Sequence, residues 1–224
     1  MNVRYYLLIL VILSCSVSKE IIKDENKQNS FEGYITYKMS TVKPDMISEE
    51  DWQIKLKELS GEQGYYQFKN YYRPNQFASE VNTGLSIGKQ VYNPKDSLHY
   101  AWELESDSAI TEDNFAESMI KIKNIVDLDT TATINNISCK AIKVNMTFGH
   151  TIIWYNSSLF NFDGEEYRGS LFGKEIINRI KTLPVKVEVP GMLDIELIEY
   201  KREAINDNLF IIPEFKNIQK KPTF

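Results

Sequence analysis

Residues 31–39 read FEGYITYKM. Phe31, Gly33, Ile35, Tyr37 and Met39 alternate with Glu32, Tyr34, Thr36 and Lys38. A period of two, with apolar and aromatic residues on one side, marks a strand with one buried face. The same period recurs along the chain. Tyr65–Phe68 and the run from Tyr71 to Val81 read as strands, and Ile87–Tyr92 and Leu98–Trp102 flank the turn residues Asn93-Pro94-Lys95-Asp96. Thr131–Ile134 passes through Asn135-Asn136, which tolerate the positive φ of a tight turn, into Ile142, Val144, Met146 and Phe148. Thr151–Tyr155 adds another strand. Val185, Val187 and Val189 then alternate up to a Pro190-Gly191 turn, after which Asp194–Arg202 forms a long strand.

Helical spacing occurs twice. Ser48 precedes three acids, Glu49, Glu50 and Asp51, and Trp52, Leu56 and Leu59 recur at helical intervals before Ser60-Gly61, which predicts a helix over 48–60. In Leu171–Lys181, Phe172, Ile176, Ile177 and Ile180 share one stripe ended by Leu183-Pro184. Residues 104–126 mix both periods and take no assignment beyond a short strand around Asp107–Thr111. Roughly eight to eleven strands with two helices and no break in composition predict a mostly β chain with one domain over 31–218 and a tail at 219–224. The architecture expected is a single curled antiparallel sheet or half-open β-barrel, its two short helices lidding it; a closed up-and-down barrel is the competing arrangement.

The chain has 224 residues, of which 42% are hydrophobic and 25% charged, enough apolar content for a sizeable core. A formal net charge of −5 argues against nucleic acid as a partner, because strand binding needs a basic face. Met1 to Arg4 lead into the apolar run Tyr5–Leu13, followed by Ser14 and Cys15, the layout of a secretory signal peptide over 1–14. A spanning helix needs about 20 apolar residues, which this run does not supply. Ile12-Leu13-Ser14-Cys15 resembles the bacterial lipobox, which implies lipid attachment at Cys15 and a membrane partner held through that lipid. Residues 15–30, including SVSKEIIKDENKQNS, carry no aromatic and read as a flexible tether. Removing Arg4 with the leader makes the mature chain one unit more acidic. Once Cys15 is acylated, Cys139 has no intramolecular partner and is expected to be a buried structural thiol.

Four fragments extend the resemblance. Phe31-Glu32-Gly33-Tyr34-Ile35-Thr36-Tyr37 is similar to an "F-x-G-x-I-x-Y" opening strand; Ile134 through Lys140 resembles "I-x-G-Y-x-C-K", with Asn136 at the glycine and Ile137 at the tyrosine. Thr151-Ile152-Ile153-Trp154-Tyr155 resembles a strand ending in Trp-Tyr, and Asp207-Asn208-Leu209-Phe210-Ile211-Ile212-Pro213 resembles "D-x-L-F-x-x-P". Together with the lipobox they resemble an uncharacterised group of bacterial envelope lipoproteins that share the half-open barrel of the periplasmic lipoprotein carrier and its receptor. The resemblance implies a β-barrel lidded by helices over a cavity for acyl chains, in a protein of the cell envelope anchored by lipid at the outer membrane. It implies no catalytic residue.

Phosphate loops, CxxC, HExxH, GxSxG and EF-hand patterns are absent from the sequence. His99 and His150 flank or lie within expected strands, where a hydrogen-bonded structural role is the simpler reading. Asp127 and Asp129 would share a strand face as half of a carboxylate site, or as a solvated acidic edge. No cofactor, metal or catalytic activity is expected. Aromatics are abundant, at 13 Tyr, 11 Phe and 3 Trp. They build either an ordinary core or the wall of a ligand cavity. The cavity candidates are Ile35, Tyr37, Met39, Val144, Met146, Phe148, Trp154, Val185 and Val187, which are equally the core candidates. Two functions follow: a non-enzymatic lipoprotein holding an apolar ligand, or an assembly subunit with a filled core that docks an envelope protein partner.

Overall fold

The computed structural model describes residues 30–113, 121–169 and 171–220. The strands are β1 (Gly33–Thr41), β2 (Tyr66–Arg73), β3 (Gln76–Asn82), β4 (Ile87–Asn93), β5 (Leu98–Glu103), β6 (Ser108–Asp113), β7 (Ile122–Ile134), β8 (Ile137–Met146), β9 (His150–Tyr155), β10 (Lys186–Val189), β11 (Leu193–Arg202) and β12 (Asn217–Lys220). The helices are α1 (Glu49–Ser60) and α2 (Lys174–Ile180). All twelve strands form one sheet in the order β12-β6-β5-β4-β3-β2-β1-β11-β10-β9-β8-β7. β12 and β7 remain separate edges, so the sheet is open and the closed barrel is excluded.

Three expectations change in detail. The run Tyr71–Val81 is not one strand, because Pro74 cannot donate to a ladder and Asn75 takes a left-handed φ of 56°, turning β2 into β3. The stretch 104–126 holds β6 and the start of β7, while residues 114–120 lie outside the described set. The expected boundary at 218 falls inside β12, which pairs with β6 in parallel, the one departure from an antiparallel sheet among the described strands. The leader 1–14, Cys15 and the tether lie outside the described residues.

The inner face, which carries Ile35 and Tyr37, is covered by the segment joining β9 to β10. Phe160, Phe162, Tyr167, Phe172, Ile177, Ile180 and Leu183 from this segment pack against Ile35, Tyr37, Tyr72, Ile142, Ile153 and Val185. Phe31 sits edge-on to Phe160 at 5.0 Å, and Tyr72 edge-on to Phe162 at 5.2 Å, geometries that favour ring pairs beyond area burial. The outer face of β2–β4 carries a smaller cluster, Tyr71, Ala78 and Val91, covered by Ile205 from the chain after β11.

Only α2 lids the sheet. α1 keeps its sequence-encoded start, where the Ser48 hydroxyl accepts from the Asp51 amide at 3.1 Å. Ser60 is its only buried residue, and Leu59 and Ile54 are about half exposed, so the stripe of Trp52, Leu56 and Leu59 does not cover the inner face. The helix lies instead at one end of the sheet. Its exit glycine approaches the β3–β4 turn so closely that a Cβ on Gly61 would lie 2.7 Å from the Gly84 carbonyl oxygen.

Candidate functional site

Register rows show how one face becomes both a core and a groove. From Met39 on β1, the row passes through Ile195, Val187, Ile153 and Ile142, all but Met39 buried, and ends at Asp127 on the β7 edge. The carboxylate there pairs with Arg179 of α2, so Asp127 holds the lid helix rather than half of a metal site. From Tyr37 the row runs the other way through Phe68, Val81 and Gly88 to Glu103. The next row runs Ile35, Asn70, Ser79, Gln90, Ala101, Ile110 and Gln219. Side-chain bulk falls away along these two rows across β3, β4 and β5. The β9–β10 segment covers the other end of β2–β4, where Tyr167 meets Tyr72 and Arg168 lies over Tyr92, and among the described residues leaves these rows open.

The result is a groove of about 620 Å³ on the inner face of β3–β6 and β12. Its floor is Val81, Gly88, Gln90, Ala101 and Ile110, and Glu103, Ser106, Ser108 and Gln219 supply polar atoms around it. A volume of that size suits a small ligand or a length of acyl chain. Gly88 makes the groove without being required by the backbone: a Cβ there would lie 3.6 Å from the Trp102 carbonyl, ordinary contact. Beside the floor in the same row, the Ser79 hydroxyl donates to Asn70 Oδ1 at 2.7 Å, while the buried Asn70 Nδ2 has no hydrogen-bond partner among the described residues.

The nine residues expected to line a cavity fall otherwise. Ile35, Tyr37, Val144, Val185 and Val187 are buried in the packed core, and Met39, Met146 and Trp154 flank it. The Tyr37 hydroxyl donates to the Pro184 carbonyl at 2.9 Å, locking the β9–β10 segment down, and burial pushes its pKa well up. Phe148 is a correction. It stands 78% exposed in the β8–β9 turn, because Met146 N–H donates to the Gly149 carbonyl and ends the alternation two residues earlier. The groove residues were missed by sequence reasoning. Their signal was present as glycine and alanine inside strands, Gly88 and Ala101, which pack little and mark a close approach or a space.

Cys139 is a free, buried thiol whose pKa is raised by burial, and its Sγ–H donates to the Ile137 carbonyl at 3.4 Å. His99 is buried between the rings of Phe77 and Tyr92, at 5.7 and 5.3 Å. His150 begins β9, seven strands away in the sheet order and so about 34 Å along it.

No family model matches the chain, and no curated protein does. Among solved structures it is similar to an uncharacterised conserved protein from Thermus thermophilus, with a TM-score of 0.52 and 9% identity over 92% of this chain and 99% of that one. That likeness is one of fold alone. Two crystal forms of PNGF-II give a TM-score of 0.46 at 14% and 15% identity, over 86% of this chain. This chain spans about a third of the PNGF-II chain, 32% and 31% in the two forms.

Proposed function

We propose that this chain is a lipid-anchored protein of the bacterial cell envelope, held at the outer membrane through Cys15, and that it binds an acyl-like apolar ligand without catalysing a reaction. The observation that carries the binding role is the groove of about 620 Å³ on the part of the inner face of β3–β6 and β12 that the β9–β10 segment does not reach. Its floor is aliphatic but for Gln90, and Glu103, Ser106, Ser108 and Gln219 sit at its margin, a distribution suited to a ligand with an apolar body and a polar end. The ligand site is thus proposed on β3–β6 and not among the core residues expected from the sequence. A non-catalytic role is supported by the setting of the nucleophile and base candidates: Cys139 is buried, and His99 and His150 lie on distant strands.

A direct test is displacement of a fluorescent fatty acid from the full chain. Gly88→Leu fills the groove floor and is expected to weaken binding more than about tenfold, each buried methylene of ligand being worth roughly 0.8 kcal/mol, with the thermal midpoint unchanged. Equal binding by wild type and Gly88→Leu removes the groove as the site. For the anchor, labelled palmitate should enter the wild type and not Cys15→Ala.

The second reading, an assembly subunit that docks an envelope protein, is favoured by the close packing of the β7–β11 half, where Ile142, Val144, Ile153 and Val185 are fully buried. It predicts a chain that binds no acyl probe and is recovered with a stoichiometric protein partner.

A further inference from the structure

The exposed apolar side chains of the described residues are not scattered. Nine of the fifteen large ones lie at one end of the sheet, where β1, β3, β5, β8 and β10 finish. Met46 precedes α1 and is 96% exposed; Leu85, Phe148 and Met192 occupy the β3–β4, β8–β9 and β10–β11 turns at 64%, 78% and 63% exposure. The opposite end turns through Pro74-Asn75, Pro94-Lys95-Asp96 and Asn135-Asn136, which are polar or turn-forming. Folding does not account for this asymmetry, since a side chain left in water contributes little to the core and a collected set marks an interaction surface.

We infer that this end of the sheet is a membrane-contact surface that lays the mouth of the groove against the hydrocarbon boundary of a phospholipid bilayer, a proposal that rests on the acyl-binding reading. The form of the surface selects the occupant. Met46, Leu85, Phe148 and Met192 stand on separate loops with Asp45, Gly84, Gly149 and Gly191 beside them, Met46 adjoining Ile47 and Ile54. Separate tips suit a fluid that flows between them, whereas a folded protein partner needs a continuous face. Charges around α1 at this end are predominantly acidic, Asp45, Glu49, Glu50, Asp51, Glu58 and Glu62 against Lys43, Lys55 and Lys57, so insertion of apolar tips, and not attraction to anionic headgroups, drives the contact. Continuity with the groove is direct: Val81, Gly88 and Glu103 of its lining lie at this same end, and Leu104 N–H donates to the Ile87 carbonyl at 3.0 Å, joining the rim to the groove strands. An acyl ligand then enters from lipid without crossing water.

The length of chain before the described domain permits this. Cys15 precedes Ser30 by 15 residues, up to about 50 Å of chain, while the nine residues of β1 that separate Ser30 from the apolar end span about 30 Å. The acylated cysteine and the apolar end therefore reach one bilayer.

The test uses the full acylated chain on phosphatidylcholine vesicles, with an environment-sensitive dye on Phe148→Cys or, at the opposite end, on Lys95→Cys; Cys139 is buried away from the reagent. Spin-labelled lipid is expected to quench the dye at Phe148 at least twofold and leave that at Lys95 unchanged, with little effect of salt. Equal quenching at both positions, none at either, or protection of Phe148 only when an envelope protein extract is added overturns the proposal. Gly88→Leu separates the two readings: the quenching at Phe148 should survive it while fatty-acid binding is lost. The double variant Met46→Ser, Phe148→Ser should slow transfer of a fluorescent fatty acid from vesicles at least tenfold and leave its affinity in solution unchanged; unchanged transfer also overturns the proposal.

Discussion

On the inner face, the row through Met39 is filled at Ile195, Val187, Ile153 and Ile142, whereas the row through Tyr37 empties towards β5 by way of Val81 and Gly88. Both halves belong to one sheet with one hydrogen-bonding pattern, so strand pairing does not separate core from groove. Connections do. Residues 156–185, between β9 and β10, form a segment long enough to fold back and carry Phe160, Phe162, Phe172 and Leu183 onto the sheet, with Phe162, Tyr167 and Arg168 reaching Tyr72 and Tyr92 at one end of β2–β4. The turns of a few residues that join β2 to β6 leave the groove open at the other end, by Val81, Gly88 and Glu103. On the outer face the chain after β11 covers β2–β5 with Ile205, Leu209 and Phe210, whereas β9 and β10 carry Ile152 and Trp154 beside Lys186 and Glu188. The apolar cover of β8–β10 therefore lies on the inner face, while β2–β4 carry cover on both faces.

The sharpest way to break that comparison is to cut the same amount from both halves. Ile142 is fully buried in the packed half, and Ile142→Ala should cost about 3 to 4 kcal/mol, because the cavity left under the lid cannot collapse. Ile110 stands half exposed in the groove, and Ile110→Ala should change stability by less than about 0.5 kcal/mol. Denaturant melts of the two variants read this directly, and similar losses in both would mean that the groove is as tightly packed as the core.

A pair of strand glycines gives the next largest contrast. Gly33 opens β1 at φ 150°, and an added Cβ would lie 2.0 Å from the Lys201 carbonyl oxygen, so Gly33→Ala must push β1 from β11 and should cost about 2 kcal/mol or more. Gly88→Ala meets nothing closer than 3.6 Å and should leave the midpoint where it is. On the outer face, Phe215 lies 5.3 Å from Trp102, and Phe215→Ala should release the C-terminal cover at a cost of about 1 kcal/mol. A loss confined to late-exchanging amides of β5 would place that cost in the strap and not in the packed core.

Much of the sheet was legible because its strands obey period two with one apolar face: β1, the β4–β5 hairpin, the Asn135-Asn136 turn and the β10–β11 hairpin all stand where alternation and turn residues put them. Alternation reports which side of a strand is buried and not what buries it. Ile35, Tyr37, Val185 and Val187 thus read equally well as a cavity wall and as a core, and only the path of residues 156–185 decides for the core. The β2–β3 turn was hidden by aromatics on both sides of Pro74-Asn75, which made 71–81 look continuous. α1 misled for a related reason. Trp52, Leu56 and Leu59 do form a stripe, but the close approach of Gly61 to Gly84 carries the helix to the end of the sheet and away from its inner face.

The smallest effect tests the charged groups on the outer face of the packed half. There Trp154 Nε1–H donates to Glu188 at 3.1 Å, and Lys186 donates to the same carboxylate at 2.7 Å with Asp194 beside it. Burial works to raise the Glu188 pKa, but the Lys186 and Trp154 donors outweigh it and hold the carboxyl below its ordinary range. Burial likewise works to lower the Lys186 pKa and is outweighed by Glu188 and Asp194, which raise it. A carboxyl depressed in the folded state stabilises the fold above its unfolded pKa, and that contribution disappears as pH falls through the folded value; the raised lysine stabilises below its unfolded pKa and loses this as pH rises through its folded value. Both contributions are present at neutral pH. Glu188→Gln should therefore cost about 0.5 kcal/mol at neutral pH, the scale of a partly exposed ion pair, and nothing once the wild-type carboxyl is protonated in acid. Thermal melts of the two proteins at neutral pH and near pH 3 check this, with Trp154 emission as a local signal. A difference that persists in acid would assign Glu188 a packing role under Trp154, and the outer face of this half would then be closed by shape, as its inner face is, and not by charge.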